Sequence, residues 1–395
     1  MSHASSLYGW EQRLATLFPD LHPVRRSWLA LASFGIVLAQ SALLNAVALQ
    51  LALALGGTFN AFRQRLRQLY RPRSDSRRQD ASFAFTTCFA PLLRACTAGF
   101  SDRRLAIALD PTSIGNRFTI LTISVVFRSC AVPVAWDVRR SDQKGSWNEQ
   151  WKRLLGLLHD ALGEGWRVLI LTDRGLESKE LFRTIAALGW HPLMRVKKAG
   201  KFRPEGWHHA WEMTRFASQV GVRWKGRGVL WPTGNEVPCT LLACWEPGHD
   251  EPWLIVTDLA PGSASALWYA WRGWIEQGFR DLKSDGWNLS KTRMTEPHRV
   301  ARWWTACALA TLWVLESGRE AQRLEIPATK THQAANKGPV TSLFRLGLAW
   351  LSMLLTQGKY PKLKRLEQPE WPPDAKESDP LDEAQWIAER QTVPL

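Results

Sequence analysis

Hydrophobic residues fill the stretch from Ser27 to Phe62, which carries no charged side chain. Polar or glycine pairs interrupt it at Gln40-Ser41 and at Gly56-Gly57, and such residues favour turns over one continuous helix. The predicted helices are Trp28 to about Leu38, Leu43 to about Leu53, and Thr58 to about Tyr70. A membrane span is the alternative for an uncharged run of this length, although the polar interruptions count against it.

The third predicted helix is basic. It carries Arg63, Arg65 and Arg67, and arginine commonly contacts DNA phosphates and base edges. Two apolar helices followed by a basic one outline a helix-turn-helix unit, whose final helix enters the major groove of DNA. The alternative is a solvated basic helix beside a buried pair.

From Arg104 onward the pattern changes from helical to strand-like. Apolar runs separated by turn-forming residues predict three strands, then helix, strand, helix and strand, which is the order of a ribonuclease H-like fold. The segments in chain order are RLAIALD, RFTILTISVVF, AVPVAWDV, a helix from Trp147 to Leu162, RVLILTD, a helix from about Lys179 to Leu188, and HPLMRV.

Two of these strands are predicted to end in an aspartate, Asp110 and Asp173. Open α/β sheets build their sites at the carboxyl ends of strands, so the two carboxylates are candidates for one site. Taken alone, each aspartate is better explained as a solvated turn residue.

Residues Lys201 to Asp258 are too many for a loop in a compact domain. Three strand-like runs separated by glycine, proline and asparagine turns predict a small β insertion there. Its basic residues suit contact with DNA, and a solubilising surface is the alternative.

The stretch YAWRGWIEQGFRDLK, from Tyr269 to Lys283, has the strongest chemical pattern. As one α-helix at about 100° per residue, it places Tyr269, Arg272, Glu276 and Lys283 in a narrow stripe, with Arg280 close by. A carboxylate binds hard metal ions, and phenol, guanidinium and ammonium groups donate to phosphate oxygens. For any single residue, the alternative is an amphipathic helix with an ordinary Arg-Glu pair.

The Y-x2-R-x3-E-x6-K spacing resembles the Y-R-E-K signature of the DDE transposases of bacterial insertion sequences, specifically those of insertion-sequence family four. The segment Asp173-Arg174-Gly175 is also similar to that family's segment around the second acid. The resemblance implies that Asp110, Asp173 and Glu276 are the catalytic acids. It further implies cut-and-paste transposition by a homodimer, which binds terminal inverted repeats, cleaves the ends and transfers them to target DNA.

The chemistry expected of this set is two-metal phosphoryl transfer. The three acids are expected to hold two Mg²⁺ or Mn²⁺ ions about 4 Å apart. One ion activates water or a DNA 3′-hydroxyl, and the other stabilises the leaving oxygen. The side chains expected to hold DNA phosphates near the scissile bond are Tyr269, Arg272, Lys283 and Arg280.

The chain of 395 residues has a net charge of +15, which indicates a polyanionic partner, either nucleic acid or an acidic membrane surface. Its six cysteines form no C-x-x-C pair and no secretory signal precedes them, so they are interpreted as reduced residues of a cytosolic protein. With the resemblance, the expected location is the bacterial cytoplasm, in association with the nucleoid and without a membrane.

The predicted fold class is α/β, with a ribonuclease H-like catalytic core, a β-strand insertion and a preceding all-helical DNA-binding region. The predicted parts are the helical region (1–100), the first part of the core (101–198), the β insertion (199–260), the second part of the core with the signature helix (261–320), and a C-terminal helical segment with a mobile tail (321–395). Two rival interpretations remain: a non-catalytic DNA-binding protein derived from a transposase, and a membrane-associated protein anchored by Ser27 to Phe62.

Overall fold

The computed structural model describes residues 3–70, 84–143, 145–231, 234, 236–325, 342–368 and 370–371. The chain forms two compact units. The described residues of Met1–Leu105, Asp110–Trp166 and Gly273–Pro369 make up the first unit, and those of Ala106–Leu109, Arg167–Arg272 and Glu370–Leu395 make up the second. The chain therefore passes between units directly before the first expected acid and inside the signature segment.

The N-terminal part of the first unit is helical. Its helices are α1 (His3–Leu17), α2 (Pro23–Ala39), α3 (Leu44–Leu55) and α4 (Phe59–Tyr70). The last three confirm the predicted helices, whereas α1, which buries only Ser6, Trp10 and Leu14, was not predicted. Thr58 caps α4, because its Oγ1 accepts the N–H of Ala61 at 3.2 Å.

Helix α2 is a core helix of the first unit, and every residue from Leu29 to Val37 is buried. Within the described ranges, no single helix is long and apolar enough to cross a membrane. Helices α2 and α3 together meet the length and composition of a span, but they are bent by 93°.

Three strands follow, β1 (Arg104–Ile114), β2 (Phe118–Phe127) and β3 (Cys130–Arg140), in the spatial order β3-β2-β1. Ala106–Leu109 of β1 belongs to the second unit, and the other residues of these strands belong to the first. Strands β2 and β3 pair antiparallel along their whole length, with a bulge after Ile123. Both are buried almost throughout, as β-branched residues on both faces predict. Helices α5 (Phe89–Thr97) and α6 (Asn148–His159) pack against β3.

The core of the first unit is centred on α9 (Pro297–Arg323), a helix that is buried on all sides. Trp10 of α1 stacks on Trp313 of α9 with ring centroids 4.4 Å apart. Helix α10 (Leu343–Thr356) also packs on α9. A Cβ at Gly347 would lie 2.0 Å from the Val314 carbonyl oxygen, so only glycine allows this approach.

The second unit is built on a sheet. Parallel strands β4 (Arg167–Thr172) and β5 (His191–Arg195) flank α7 (Lys179–Ala187) in sequence, as predicted. The remaining strands are β6 (Lys201–Pro204), β7 (Trp211–Glu212), β8 (Arg223–Leu230), β9 (Val237–Cys244) and β10 (Trp253–Thr257). From β4 the order is β4-β5-β10-β9-β8-β6-β7, with Ala106–Leu109 of β1 on the other side of β4.

In its described residues, the predicted β insertion contains five strands rather than three. Its last strand, β10, pairs antiparallel with β5, so the insertion extends the β4-β5 sheet instead of folding apart from it. The α/β class, the N-terminal helices and the order from β1 to β5 are thus confirmed. The ribonuclease H-like assignment and the five-part domain division stay predictions.

Candidate active site

The signature segment is helical throughout, but it is not one α-helix. A 3₁₀ helix covers Ala266–Gly273, and α8 covers Trp274–Lys283. The prediction of a single α-helix is therefore wrong for its first turn. Tryptophans recur every third residue from Trp268 to Trp274, which is the period of a 3₁₀ helix, and this spacing is the signal that the sequence contained.

The change of helix type preserves two local alignments. Tyr269 and Arg272 are three residues apart in the 3₁₀ helix and therefore lie on one side of it. Glu276, Arg280 and Lys283 are spaced four and three residues apart in α8 and share one face. The signature thus has two reactive edges, one on each helical piece.

Asp173 directly follows β4, at the strand end that the sequence predicted. Its Oδ1 accepts the N–H of Gly175 at 2.9 Å, and Arg272 Nη2 lies 3.5 Å from its Oδ2. Tyr269 is buried and packs edge-on against Trp253, with ring centroids 5.6 Å apart. We call Asp173, Arg272 and Tyr269 the Asp173 cluster. Arg272 is therefore a direct partner of a candidate catalytic acid.

A second group of charges in the same unit begins at the next residue, Arg174. Glu251 forms ion pairs with Arg174 at 2.8 Å, Arg195 at 2.6 Å and Lys198 at 2.7 Å. The Lys198 hydrogen bond is the largest cause of the lowered pKa of Glu251, followed among the favourable causes by the charge of Arg195. We call these four residues the Glu251 set. Three cations share one carboxylate, so the set has surplus positive charge.

Asp110 lies within β1, and the prediction that it ends the strand is wrong, because β1 continues to Ile114. Asp110 is instead the last residue of the continuously buried part of β1, because exposed and buried residues alternate after it. Lys283 Nζ donates to Thr112 Oγ1 at 2.8 Å. Asp110 and Thr112, two residues apart on a strand, face the same side. We call Asp110, Thr112 and Lys283 the Asp110 cluster.

The environment of Lys283 is only partly polar. Burial lowers the pKa of its ammonium group, and the negative charge of Asp110 opposes that shift. Lys283 is therefore the signature cation beside Asp110, as Arg272 is beside Asp173. Thr112 was not predicted as a site residue, although its spacing of two from Asp110 was an available signal.

Glu276 is exposed in the first turn of α8. Helix α8 packs on β3 at Gly278, where a Cβ would come 2.7 Å from the Cβ of Ala131. A glycine is needed for this close approach. Gly278 therefore sets the height of α8 above β3, and with it the position of Glu276.

Helix α8 also carries a buried carboxylate, Asp281, which is 2% exposed. Its Oδ1 accepts a hydrogen bond from Gln277 Nε2 at 3.0 Å. Burial raises the pKa of Asp281 to about 6. Asp281 is therefore much closer to protonation at neutral pH than an ordinary aspartate.

A metal site can be tested by its donors. All three candidate acids offer the carboxylate oxygens that Mg²⁺ and Mn²⁺ prefer, so their chemistry fits these ions. In the described part of the chain, however, no group of three or more His, Cys, Asp or Glu side chains is placed to hold a metal ion. Asp110 and Glu276 belong to the first unit and Asp173 to the second. The shared metal site stays a prediction.

The predicted DNA-binding arginines lie on α4, but they do not share one face. Arg63 and Arg67 are four residues apart and lie on one side, whereas Arg65 points away from them. Arg65 is exposed, with its guanidinium 5.8 Å from the centre of the Phe62 ring. Arg71, Arg73, Arg77 and Arg78 of the loop after α4, which are also expected to contact DNA, lie outside the described residues.

Half of the chain matches a known family. Residues 116–313 match the family described as Transposase DDE domain. The chain belongs to the DDE transposase family. A solved structure, the piggyBac transposase synaptic complex with hairpin DNA, is similar at 12% identity and a TM-score of 0.42, covering 98% of this chain and 87% of that chain. No match was found among curated proteins.

The matched part of this DDE transposase contains Asp173, Glu276 and the whole signature segment. It begins after Asp110, and it excludes the α4 arginines. DDE transposases generally use divalent metal ions, in agreement with the oxygen donors of the candidate acids.

Proposed function

We propose that this DDE transposase moves an insertion sequence of family four by cut-and-paste transposition. It binds terminal inverted repeats, cleaves the element ends and joins them to target DNA. The observation that carries the proposal is that the signature segment provides a cation beside each aspartate, Arg272 at Asp173 and Lys283 near Asp110, together with the exposed Glu276. This combination of oxygen ligands and phosphate donors is suited to phosphoryl transfer.

In this proposal Asp110, Asp173 and Glu276 hold two Mg²⁺ or Mn²⁺ ions. Ions bound to these carboxylates would supply activation of water or a DNA 3′-hydroxyl and stabilisation of the charge on the leaving oxygen. Arg272 and Lys283 compensate the aspartates in the metal-free protein, and both can donate to phosphate oxygens once DNA is bound.

The other signature residues differ in accessibility. Arg280 is exposed on the Glu276 face of α8 and is free to reach a phosphate from solvent. Tyr269 is 4% exposed and packed against Trp253, so its proposed phosphate contact is made by a largely buried phenol.

Family membership supports DNA as the partner, and a net charge of +15 is suited to it. We assign sequence-specific binding of the terminal repeats to the helical region, with Arg63, Arg65 and Arg67 of α4 as contacts. The proposed assembly is a homodimer that holds both ends, working beside the nucleoid in the cytoplasm, with a ribonuclease H-like core.

A non-catalytic DNA-binding protein is the second candidate function. Two observations favour it: the family match begins after Asp110, and the described residues show no ready group of metal ligands. The two candidates differ in whether metal-dependent cleavage occurs.

The deciding experiment is cleavage, in Mg²⁺, of a duplex that carries the element's own end and its flank. The wild type is compared with Glu276→Gln and with Glu149→Gln, another exposed glutamate in the first turn of a helix of the first unit. We expect cleavage at the element boundary by the wild type and the control, and none by Glu276→Gln. Binding without cleavage in all three would establish the non-catalytic function, and equal cleavage in all three would remove Glu276 from the site.

A further inference from the structure

We infer that a basic cavity in the first unit binds the backbone phosphates of DNA, at a site built from none of the residues of the Asp110 and Asp173 clusters. The cavity has a volume of about 790 Å³ and lies between the start of α3, helix α4 and residues 291–299. Its cationic side chains are Arg63, Lys291, Arg293 and Arg299. The identity of the ligand as DNA rests on the proposed function, whereas the anion site rests on the geometry.

The four cations have no counterion among the described residues. Over the described ranges, none of their side chains has an ion pair or a hydrogen bond, and no acidic side chain lines the cavity. The Nε atoms of Arg63 and Arg299 are shielded from solvent and have no acceptor. A buried donor without an acceptor costs free energy, so an anion that supplies acceptors is stabilised here.

Neighbouring groups feel the same excess of positive charge. Burial lowers the pKa of His298, and the charges of Arg302 and Arg299 lower it further, against the smaller opposing effect of Glu296. The pKa of Arg302 is also lowered, by burial and by the charge of Arg25. The start of α9 is therefore a region in which an added anion relieves repulsion between cations.

The first turn of α3 adds backbone donors. Leu44, Asn45 and Ala46 line the cavity, and Leu43 before them makes no capping hydrogen bond through its side chain. The N–H groups of a first helical turn have no acceptor within the helix, and they carry part of the positive end of its dipole. A phosphate in the cavity can accept hydrogen bonds from this end.

Hydrogen bonds fix the backbone of the segments that line the cavity. Arg117 donates to the carbonyl oxygens of Met294 at 2.8 Å and Thr292 at 2.6 Å. The N–H of Ala42, in the turn before α3, donates to the Trp287 carbonyl at 2.6 Å, and Trp303 Nε1 donates to the Ala42 carbonyl at 2.9 Å. The backbone that carries Lys291, Arg293 and the first turn of α3 is therefore held in place before a ligand arrives, which reduces the entropy lost on binding.

The size of the cavity favours a phosphate chain over a single ion. Cations come from α4, from the segment after α8 and from α9, so they can reach successive phosphates of one strand. Each phosphate neutralised in this way releases counterions, which makes DNA binding dependent on salt.

The first test measures binding of a labelled DNA duplex by fluorescence anisotropy, in EDTA and over a range of salt concentrations. We expect the double variant Lys291→Ala/Arg293→Ala to bind roughly tenfold more weakly at low salt and to lower the slope of log K against log salt by about 1.8. The control, Lys152→Ala/Lys359→Ala, removes the same charge from exposed positions of the same unit outside the cavity. Equal losses in the two double variants would overturn the inference.

The second test separates binding from folding. Asn45→Asp places a carboxylate in the first turn of α3, where an acidic side chain stabilises a helix. We expect an unchanged or raised melting temperature together with DNA affinity weakened by about fivefold, because the carboxylate occupies the anion site. Unchanged or tighter DNA binding by Asn45→Asp would overturn the inference.

A third arm distinguishes DNA from a free anion. Inorganic pyrophosphate, added at constant ionic strength, is expected to displace the duplex only weakly, and displacement at micromolar concentration would assign the cavity to a free anion instead. Because these assays contain no metal ion and no cleavage step, their outcome is independent of Glu276. An enzyme that cleaves DNA but shows no selective loss in the cavity variants would refute the cavity alone.

Discussion

The Asp173 and Asp110 clusters each contain one candidate acid and one signature cation, but they compensate charge differently. The Asp173 side chain is 32% exposed and contacts both a backbone N–H and the Arg272 guanidinium. The neighbouring Glu251 set adds surplus positive charge. Asp110 is 9% exposed, and the hydrogen bond of Lys283 goes to Thr112.

This difference shows how surroundings decide the behaviour of similar side chains. Where cations are in excess, as around Glu251, the pKa of a carboxyl falls. On α8 of the first unit, burial prevails and the pKa of Asp281 rises to about 6. Ion pairs therefore keep the Glu251 carboxylate charged, whereas burial favours the neutral form of the Asp281 carboxyl.

The largest expected effect tests whether the two clusters have equal importance. Asp110→Asn and Asp173→Asn are each expected to lower the rate of DNA cleavage by about 10³-fold or more, because each removes an oxygen ligand that binds metal strongly. Cleavage assays in saturating Mg²⁺ check this, with Asp160→Asn, a 95% exposed position, as the control. Normal cleavage by Asp110→Asn alone would leave Asp173 as the only catalytic aspartate of the pair.

The next effect concerns the signature cations. Arg272→Gln and Lys283→Gln are expected to slow cleavage by about 10- to 100-fold, because each loses a phosphate donor. Arg272→Gln is also expected to lower the Mg²⁺ concentration needed for half-maximal rate, since Asp173 then lacks its competing cation. Lys283→Gln should change this concentration less, because Lys283 is bonded to Thr112. Cleavage assays over a range of Mg²⁺ concentrations measure the rate and the half-maximal Mg²⁺ concentration, with the exposed Arg94→Gln as the control. Identical titration curves for Arg272→Gln and Lys283→Gln would contradict the proposed difference between the two clusters.

A smaller effect concerns the drier surroundings of α8. The pKa of Asp281 is raised in the folded protein to about 6, so its favourable contribution to stability is complete below its unfolded pKa and is lost as pH rises through about 6. Asp281→Asn, which keeps an acceptor for Gln277, is therefore expected to stabilise the protein by about 2 kcal/mol at pH 8 and by little at pH 4. Denaturant unfolding at both pH values checks this, and an equal effect at both would contradict the buried-carboxyl account.

The smallest effect tests the surplus cations of the second unit. Glu251→Gln removes the charge that Arg174, Arg195 and Lys198 share, so DNA affinity in EDTA is expected to rise by about two- to fivefold at low salt. The control is Glu246→Gln, which loses an ion pair with Arg223 in the same unit. Anisotropy at several salt concentrations measures the difference. Weaker binding by Glu251→Gln would mean that the carboxylate is needed to position the three cations.

The candidate acids and signature residues could be proposed from the sequence because each lies in a local pattern, either an apolar run followed by an aspartate or a helical spacing. Asp173 follows the six-residue strand β4, whose four central residues are apolar, and Glu276, Arg280 and Lys283 fall on one face of α8. Pro111 and the turn-forming residues after it predict that the strand ends at Asp110, yet pairing in the sheet extends β1 to Ile114.

The Glu251 set and the basic cavity could not be predicted from patterns of neighbouring residues. Arg174 and Glu251 are 77 residues apart, and the cavity joins α3 and α4 to the segment after residue 290. Periodicity within a few residues cannot predict contacts between residues that are this far apart in the chain.

The sequence by itself determined the kinds of reactive groups, the order from β1 to β5 and the family, because short-range periodicity and fixed motif spacing are properties of neighbouring residues. Only the tertiary structure decided that Arg272 contacts Asp173, that Lys283 donates to Thr112 at a distance of 171 residues along the chain, and that Asp281 is buried while Glu276 is exposed. These relations depend on which surfaces pack together, and packing in turn determines charge compensation and pKa.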